Sequence, residues 1–245
     1  MEECKILGVN IAVTNMNETI EYVTSNLDAI RGDYICVSNV HTTVLSYKNP
    51  EYCNIQNSAF MRFPDGKPLS TTAKRRGYKN AQRVTGPSFM EEILSISAKN
   101  NYRNVFYGSN DNTLNLMKKN IENKYPGIIN NCMFHSPAYS KEVVLETDDM
   151  IKKINDFNPD FIWVGLGAPK QEKWMYLHRG KLKGVSIGVG AAFDYLAGNI
   201  KRAPKWMQKM SLEWLYRLFQ NPKLFSRYMK SNWCFIWNAM IKKRS

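Results

Sequence analysis

Short apolar segments alternate with segments of helical periodicity along most of the chain. Five apolar runs predict β-strands, over 6–9, 34–38, 104–107, 160–166 and 185–189. Helices are predicted between them, over 19–30 after a capping box of Asn15 and Glu18, over 88–99 after Pro87, and over 113–125 after Asn110 or Asp111. This alternation predicts an α/β fold with a doubly wound, mostly parallel sheet, whose ligands bind at the carboxyl ends of the strands.

The pattern changes between Gly198 and Pro204, where we expect a boundary. Residues 1–198 are predicted to form the α/β domain, and residues 199–245 a helical appendage. In the appendage, Pro204 begins a predicted helix that runs to about Gln220, and Asn221-Pro222 is typical of the cap and first turn of another helix. Segment 137–147 is predicted to be a loop or a short edge element.

Basic and aromatic residues are concentrated in the appendage. The formal net charge of the chain is +13, and residues 201–245 hold 11 Lys and Arg, four of the six Trp and a single acidic residue, Glu213. On the second predicted helix, Lys223, Arg227 and Lys230 lie on one face, and Phe225, Tyr228, Met229 and Ile236 favour another. Such helices suit an anionic membrane surface or a nucleic acid, and a helical cap with a solvated charged face explains them equally well.

Metal binding and export are both unexpected. The five Cys are scattered, form no Cys-x-x-Cys pair and have no His placed to complete a zinc site, so we predict no metal and a reducing compartment. The chain begins with acidic residues rather than a basic signal sequence, and no stretch approaches the roughly 18 apolar residues of a membrane span. A cytoplasmic location is therefore expected.

Two strand-to-helix junctions are rich in small residues. Residues 165–174, with the sequence GLGAPKQEKW, follow a buried apolar run, and such a turn points backbone N–H groups at one spot that suits a phosphate. Residues 188–198, GVGAAFDYLAG, form a similar junction that contains Gly190 and Asp194. At this second junction, close packing of a helix on a strand explains the small residues equally well.

Polar side chains at three other turns are candidates for chemistry. Asp65 lies on a glycine turn between two prolines, which makes it a candidate general base, although ordinary Asp-Gly turns are common. Arg83 can neutralise a phosphate, and Thr85 adds a hydroxyl beside it. Asn39 and His41 follow a strand and can bind a sugar hydroxyl or a base edge, while a lone His is more often structural.

Several cofactor and catalytic motifs are missing from the sequence. It has no Gly-x-Gly-x-x-Gly after a strand, no Gly-Lys-Ser or Gly-Lys-Thr loop, and no Gly-x-Ser-x-Gly elbow, which disfavours dehydrogenases, P-loop NTPases and serine hydrolases. It also has no Asp-x-Asp pair to hold a metal on a nucleotide diphosphate. Arg and Lys would then supply the countercharge.

Six sequence blocks occur in an order that resembles the bacterial WecB/TagA/CpsF glycosyltransferases, glycosyltransferase family 26. They are PDG (64–66), RVTG (83–86), GLGAPKQE (165–172), GVGAAFD (188–194), RAP (202–204) and EWLYRL (213–218). The resemblance implies a Rossmann-like sheet and inverting sugar transfer without metal or cofactor. It also implies a UDP-sugar donor and a polyprenyl-pyrophosphate-linked sugar acceptor, in teichoic acid, capsule or exopolysaccharide synthesis. N-acetylmannosamine or a related hexose is the expected sugar.

The resemblance also implies roles for single residues and for the appendage. Asp65 looks like the general base, and the C-terminal segment like a membrane-seeking lid on the inner face of the cytoplasmic membrane. From the motifs and the resemblance together, the predicted substrate-binding residues are Asn39, Arg83, Thr85, Gly167, Lys170, Gln171, Glu172, Gly190, Asp194, Arg217 and Arg227. Two departures are visible: Val37 stands where many members carry Thr, and residues 221–228 have fewer basic residues than is usual.

The alternative hypothesis is a nucleic-acid-binding or RNA-modifying Rossmann protein with a basic, aromatic tail. The sequence disfavours it, because a cofactor loop is missing and the basic residues are interleaved with Trp and Phe at amphipathic spacing. The expected partners are therefore a UDP-sugar, a lipid-linked acceptor and an anionic membrane surface contacted through residues 201–245, with no nucleic acid. Whether the chain forms a homo-oligomer is left open.

Overall fold

The computed structural model describes residues 1–140, 142–210, 212–222 and 224–241, except for the side chains of Lys209, Arg227 and Met240. The described residues form two sheets. A small antiparallel hairpin consists of β1 (Glu3–Ile6) and β2 (Val9–Ala12). The main sheet consists of β3 (Tyr34–Ser38), β4 (Met61–Pro64), β5 (Asn104–Gly108), β6 (Cys132–His135), β7 (Phe161–Gly165) and β8 (Val185–Gly188).

All neighbouring strands of the main sheet are parallel, in the order β4-β3-β8-β7-β5-β6. The helices of the first half are α1 (Met16–Ser25), α2 (Val40–Lys48), α3 (Pro50–Asn57), α4 (Lys67–Arg75), α5 (Gly86–Asn100) and α6 (Asp111–Lys124). Those of the second half are α7 (Asp148–Asp156), α8 (Lys170–Leu177), α9 (Ala192–Ala197), α10 (Lys205–Lys209), α11 (Glu213–Gln220) and α12 (Leu224–Phe235). The other helical segments described are a 3-10 helix (Ile128–Asn131) and a π-helical segment (Ile236–Ile241). The predicted fold class is confirmed.

Side-chain caps explain where several helices begin. The side chain of Asn15 accepts a hydrogen bond from the Glu18 N–H at 3.1 Å at the start of α1. Asn110 caps α6 in the same way, with a distance of 2.9 Å to the Thr113 N–H. The caps predicted at Asn15 and Asn110 are confirmed, while the described bonds include only the Asn15 half of the predicted capping box.

The structure corrects the predicted secondary structure in three places. Residues 6–9 are not a strand, because Leu7 and Gly8 have φ values of +48° and +92° and form the turn between β1 and β2. The helix predicted from Pro204 to Gln220 is two helices, α10 and α11, and the one predicted over 19–30 ends at Ser25. Strands β4 and β6 were not predicted, because neither four-residue segment shows a clear apolar alternation.

The main sheet is covered on both faces, and its central strands are mostly apolar. Every residue of β3, β4, β5 and β8 is buried, as expected for a parallel sheet between two helical layers. Trp163 on β7 packs against Phe89 of α5 and satisfies its indole N–H with the Asn104 side-chain oxygen at 2.9 Å. This rigid core positions the carboxyl ends of the strands.

The last helix packs into the body of the protein. Helix α12 lies against α2, and Phe235 and Ala239 join a buried cluster with Ile6 and Val9 of the hairpin and Leu69 of α4. The division between 1–198 and 199–245 stays a prediction, and the appendage shares a core with the α/β body. Within the described residues, no helix is both long and apolar enough to cross a membrane.

The buried position of Phe235 predicts a large effect of truncating its side chain. Phe235 is 1% exposed, so Phe235→Ala is expected to lower the free energy of unfolding by about 3–5 kcal/mol. Trp233, two residues away and 72% exposed, is the matched control, and Trp233→Ala is expected to cost less than about 1 kcal/mol. Urea unfolding of both variants measures the difference, and equal losses would contradict the packing of α12.

Candidate active site

A cavity of about 830 Å³ opens at the carboxyl ends of β3, β4, β7 and β8. Strands β3 and β8 are neighbours in the sheet. From β3 the chain continues to β4 on one side of this pair, whereas it enters β8 from β7 on the other side, so the direction of the connections changes here. Ligands bind at such switch points in open α/β sheets. Helices α11 and α12 supply the outer wall through residues that include Arg217 and Tyr228.

Asp65 follows β4 directly and lines this cavity. Its backbone N–H donates to the Ser38 carbonyl at 2.7 Å, and the preceding Pro64 carbonyl accepts from the Val84 N–H at 2.8 Å. Gly66, with a φ of +124°, then turns the chain into α4, a conformation that other residues rarely adopt. The backbone of Asp65 is thus fixed at the wall of the cavity.

The environment of Asp65 makes it a weaker acid than usual. Loss of hydration inside the cavity raises the pKa of this carboxyl to about 6, a rise that the nearby Arg83 opposes and Glu213 reinforces. A carboxylate with a pKa close to neutrality is well matched to accepting a proton at physiological pH.

Three arginines, Arg83, Arg202 and Arg217, lie near enough to Asp65 for their charges to lower its pKa. Two of them are also paired with Glu213. Arg83 Nη2 donates to Glu213 Oε2 at 3.1 Å, and Arg202 Nε lies 3.6 Å from Glu213 Oε1. Arg217 lines the cavity, and its Nε is buried without a hydrogen-bond partner in the described part of the chain. The cavity therefore combines a candidate base with an excess of positive charge, an arrangement suited to an anionic substrate.

Gln171 occupies the glycine turn that the sequence suggested as a phosphate site. Its side-chain oxygen accepts from the Gly167 N–H at 3.1 Å, so this backbone amide is already bonded. Its amide nitrogen donates to Glu172 at 2.8 Å. A Cβ on Gly188 would lie 2.9 Å from the Gln171 amide nitrogen, so only glycine lets β8 approach this side chain.

Glu172 lies behind Gln171 and away from the cavity. It is fully buried, and desolvation raises the pKa of its carboxyl, while hydrogen bonds to Gln171 and Tyr52 oppose the rise. Gln56 donates to the Tyr52 hydroxyl at 3.0 Å and accepts from Ser38 at 3.0 Å. These bonds connect the end of β3 to the glycine turn. Glu172 thus holds the Gln171 side chain in place from the side away from the cavity.

The structure brings together most of the predicted site residues. Those that line the cavity are Asn39, Asp65, Arg83, Thr85, Gly167, Gln171, Gly190 and Arg217. Asn39 also caps α2 by accepting from the Thr42 N–H at 3.1 Å, and Thr85 caps α5 by accepting from the Ser88 N–H at 3.3 Å. Their predicted substrate contacts stay predictions.

Other predicted residues lie elsewhere. Lys170 donates its Nζ to the Ser140 carbonyl at 2.7 Å, and Asp194 accepts from the Asn199 side chain at 3.3 Å. Neither lines the cavity, nor does Glu172. Each of these side chains is bonded to another residue of the protein, and their predicted substrate contacts stay predictions. Arg227 belongs to α12, and its side chain lies outside the described residues.

Sequence reasoning gave no role to several residues of the cavity wall. Glu213 and Lys67 line it, and Arg202 lies next to the cavity wall, in contact with Glu213. The signal for Glu213 was present, since it is the single acidic residue of a strongly basic segment. Val37, which replaces the Thr of many members of the resembling family, also lines the cavity, so this departure bears on the site itself.

Metal ligands are not clustered in the described part of the chain. No group of three or more His, Cys, Asp or Glu side chains there is placed to hold a metal ion. The prediction of metal-independent chemistry is left to experiment.

A model of the Glycosyl transferase WecG/TagA/CpsF family matches residues 4–245. The chain belongs to this family. The N-acetylglucosaminyldiphosphoundecaprenol N-acetyl-beta-D-mannosaminyltransferase of Bacillus subtilis (strain 168) is 31% identical over 224 residues, which cover 90% of this chain and 85% of that protein. Proteins of the same name from Staphylococcus aureus strains MW2 and NCTC 8325 / PS 47 are 28% identical over 242 residues, or 98% of this chain and 92% of theirs.

These comparisons confirm the predicted family and the predicted enzyme class, a glycosyltransferase. They give no support to the nucleic-acid-binding or RNA-modifying alternative. The WecG/TagA/CpsF member described here thus carries its candidate base and arginines at the switch point of a Rossmann-like sheet.

The burial of Glu172 predicts a pH-dependent effect on stability. The pKa of its carboxyl is higher in the folded than in the unfolded protein. As pH rises, the unfolded state therefore loses the proton first and is favoured, so the free energy of unfolding of the wild type falls. Glu172→Gln has no proton to lose at this position. The free energy of unfolding of the variant minus that of the wild type should therefore be larger at about pH 8 than at about pH 4. Urea unfolding at both pH values measures this, with the exposed Glu142→Gln as control. A pH-independent difference would contradict it.

Proposed function

We propose that this glycosyltransferase moves N-acetylmannosamine from UDP to N-acetylglucosamine carried on polyprenyl diphosphate, with inversion at the anomeric carbon. The observation that carries the proposal is Asp65, fixed by backbone contacts in a cavity that also presents Arg83 and Arg217. The names of the relatives support the choice of sugar and acceptor. The product would enter a cell-surface polysaccharide such as teichoic acid, capsule or exopolysaccharide.

In the proposed reaction, Asp65 accepts the proton of an acceptor hydroxyl. The hydroxyl oxygen forms a bond to the anomeric carbon of the donor, and the bond from that carbon to the UDP oxygen breaks. The electron pair leaves with the diphosphate, whose growing negative charge is stabilised by guanidinium groups of the cavity. One displacement inverts the configuration, so a single base is sufficient.

Asp65→Asn tests the base directly. The amide cannot accept the proton, so kcat is expected to fall by about 10²- to 10⁴-fold while KM for the donor changes little. In wild type, kcat/KM should decline as pH falls through about 6, because the base becomes protonated. Transfer from UDP-N-acetylmannosamine to a short-chain acceptor measures both, with the exposed Asp111→Asn as control. Full turnover in Asp65→Asn would rule out this base.

The same assay decides the donor and the role of metals. A panel of UDP-sugars, each with and without EDTA, should give product with UDP-N-acetylmannosamine and the same rate in both conditions. Transfer of another hexose alone would reassign the donor, and loss of activity in EDTA would overturn metal independence.

We further propose that α12 and its neighbours contact the inner face of the cytoplasmic membrane, where a lipid-linked acceptor resides. Phe225, Met229 and Trp233 lie at intervals of four residues on α12 and are 56%, 55% and 72% exposed. The opposite side of this helix carries the buried Ser231 and Phe235. An exposed apolar stripe in a segment rich in Lys and Arg suits the surface of an anionic bilayer.

Phe225→Ser/Trp233→Ser tests this contact without removing any buried side chain. The double variant is expected to bind phosphatidylglycerol vesicles at least about tenfold more weakly in flotation, since two aromatic side chains no longer leave water. Tyr139→Ser is the control, because Tyr139 is 90% exposed on a loop outside the C-terminal segment. Undiminished flotation of the double variant would place the membrane contact elsewhere.

A further inference from the structure

One carboxylate of the C-terminal segment lies among the arginines of the cavity. Glu213 begins α11, and it bridges two arginines from distant parts of the chain. Its Oε2 accepts from Arg83 Nη2 at 3.1 Å, and its Oε1 lies 3.6 Å from Arg202 Nε. The contact with Arg83 spans 130 residues of sequence.

The three side chains of this bridge are mostly buried, so each charge relies on the others for compensation. The side chains of Arg83, Arg202 and Glu213 are 20%, 23% and 16% exposed. Removing one charge from such a group leaves another without its partner, at a place where burial reduces solvation by water. Glu213 therefore holds the start of α11 against the segment that precedes α5.

Arg202 and Arg217 have different surroundings. Arg202 is also tied to α5, because it donates to the Ser88 hydroxyl at 3.0 Å and lies 3.9 Å from Glu91. Arg217 follows Glu213 by four residues on α11, and residues at this spacing share one face of a helix. The Nε atoms of Arg202 and Arg217 are both buried without a hydrogen-bond partner in the described residues, but Arg217 lines the cavity and Arg202 does not. Fixing Glu213 thus also fixes the direction in which Arg217 projects.

We propose that Glu213 is a positioning residue for sugar transfer: by bridging Arg83 and Arg202 it fixes α11 over the cavity and holds Arg217 toward the diphosphate of the donor. The proposal rests on the proposed function for the identity of this anion. Glu213 acts through the arginines and does not contact the reacting atoms.

The same carboxylate affects the base. Its negative charge raises the pKa of Asp65, whereas the charges of Arg83, Arg217 and Arg202 lower it. Removing the charge of Glu213 therefore lowers the pKa of Asp65 and moves the acid limb of kcat/KM to lower pH. Other titratable side chains that face this cavity are His41 of α2, Lys67 of α4, Tyr195 of α9 and Tyr228 of α12.

Three variants test the proposal. Glu213→Gln is expected to lower kcat/KM for the donor by about tenfold or more, to weaken UDP binding in calorimetry by a similar factor, and to shift the acid limb to lower pH. Glu213→Asp keeps the charge and should restore part of the loss. Glu92→Gln is the matched control, because Glu92 is exposed on α5 and does not line the cavity. It should stay within about twofold of wild type.

Limited trypsin digestion without substrates adds a measurement that needs no transferase activity. Glu213→Gln should be cleaved faster than wild type within residues 201–217, and Glu92→Gln at the wild-type rate, with thermal melts confirming that each variant is folded. The proposal would be overturned if Glu213→Gln kept the wild-type kcat/KM and acid limb, or if Glu92→Gln lost as much activity as Glu213→Gln. If wild type transfers no sugar, the proposed function fails, and UDP affinity and trypsin cleavage still decide whether Glu213 positions α11.

Discussion

Compensation of charge in a poorly hydrated cavity is the constraint on which this site depends. Asp65, Arg83 and Glu213 come from three separate parts of the chain, and each would be costly to bury by itself. The parallel sheet supplies the fixed side of the cluster through Asp65, whose backbone is bonded to β3. The C-terminal segment supplies the other side, so the cavity is complete only when this segment is packed in place.

Helix α12 serves this arrangement with two different faces. Its inner face places Phe235 in the same buried cluster as the β1–β2 hairpin and brings Tyr228 to the cavity. Its outer face leaves Phe225 and Trp233 exposed to solvent. In the proposed reaction, a segment that closes the cavity and also presents apolar surface would link the position of a lipid-borne acceptor to the assembly of the site.

The polar network beneath the glycine turn shows how a buried carboxyl group can support a site without lining it. Glu172 is bonded to Gln171, and Gln171 in turn holds the Gly167 amide at the cavity wall. A side chain without such support has several rotamers available, and its hydrogen-bonding atoms would not be held at one place. The neighbouring Gly188 permits this arrangement, since any side chain there would collide with Gln171.

Local sequence determined the strands β3, β5, β7 and β8 and the caps at Asn15 and Asn110, whereas Asp65 was singled out as the base by the family resemblance and not by its Asp-Gly turn. The strands and caps depend on apolar runs and on turn chemistry that act over a few residues, and parallel strands place their carboxyl ends at one edge. Only the tertiary structure decided which polar residues face the cavity. Glu172 and Lys170 adjoin Gln171 in sequence, but Glu172 accepts from Gln171 behind the cavity and Lys170 donates to Ser140, whereas Glu213 reaches Arg83 across 130 residues. Such pairings follow from packing and from shared burial of opposite charges, neither of which local periodicity encodes.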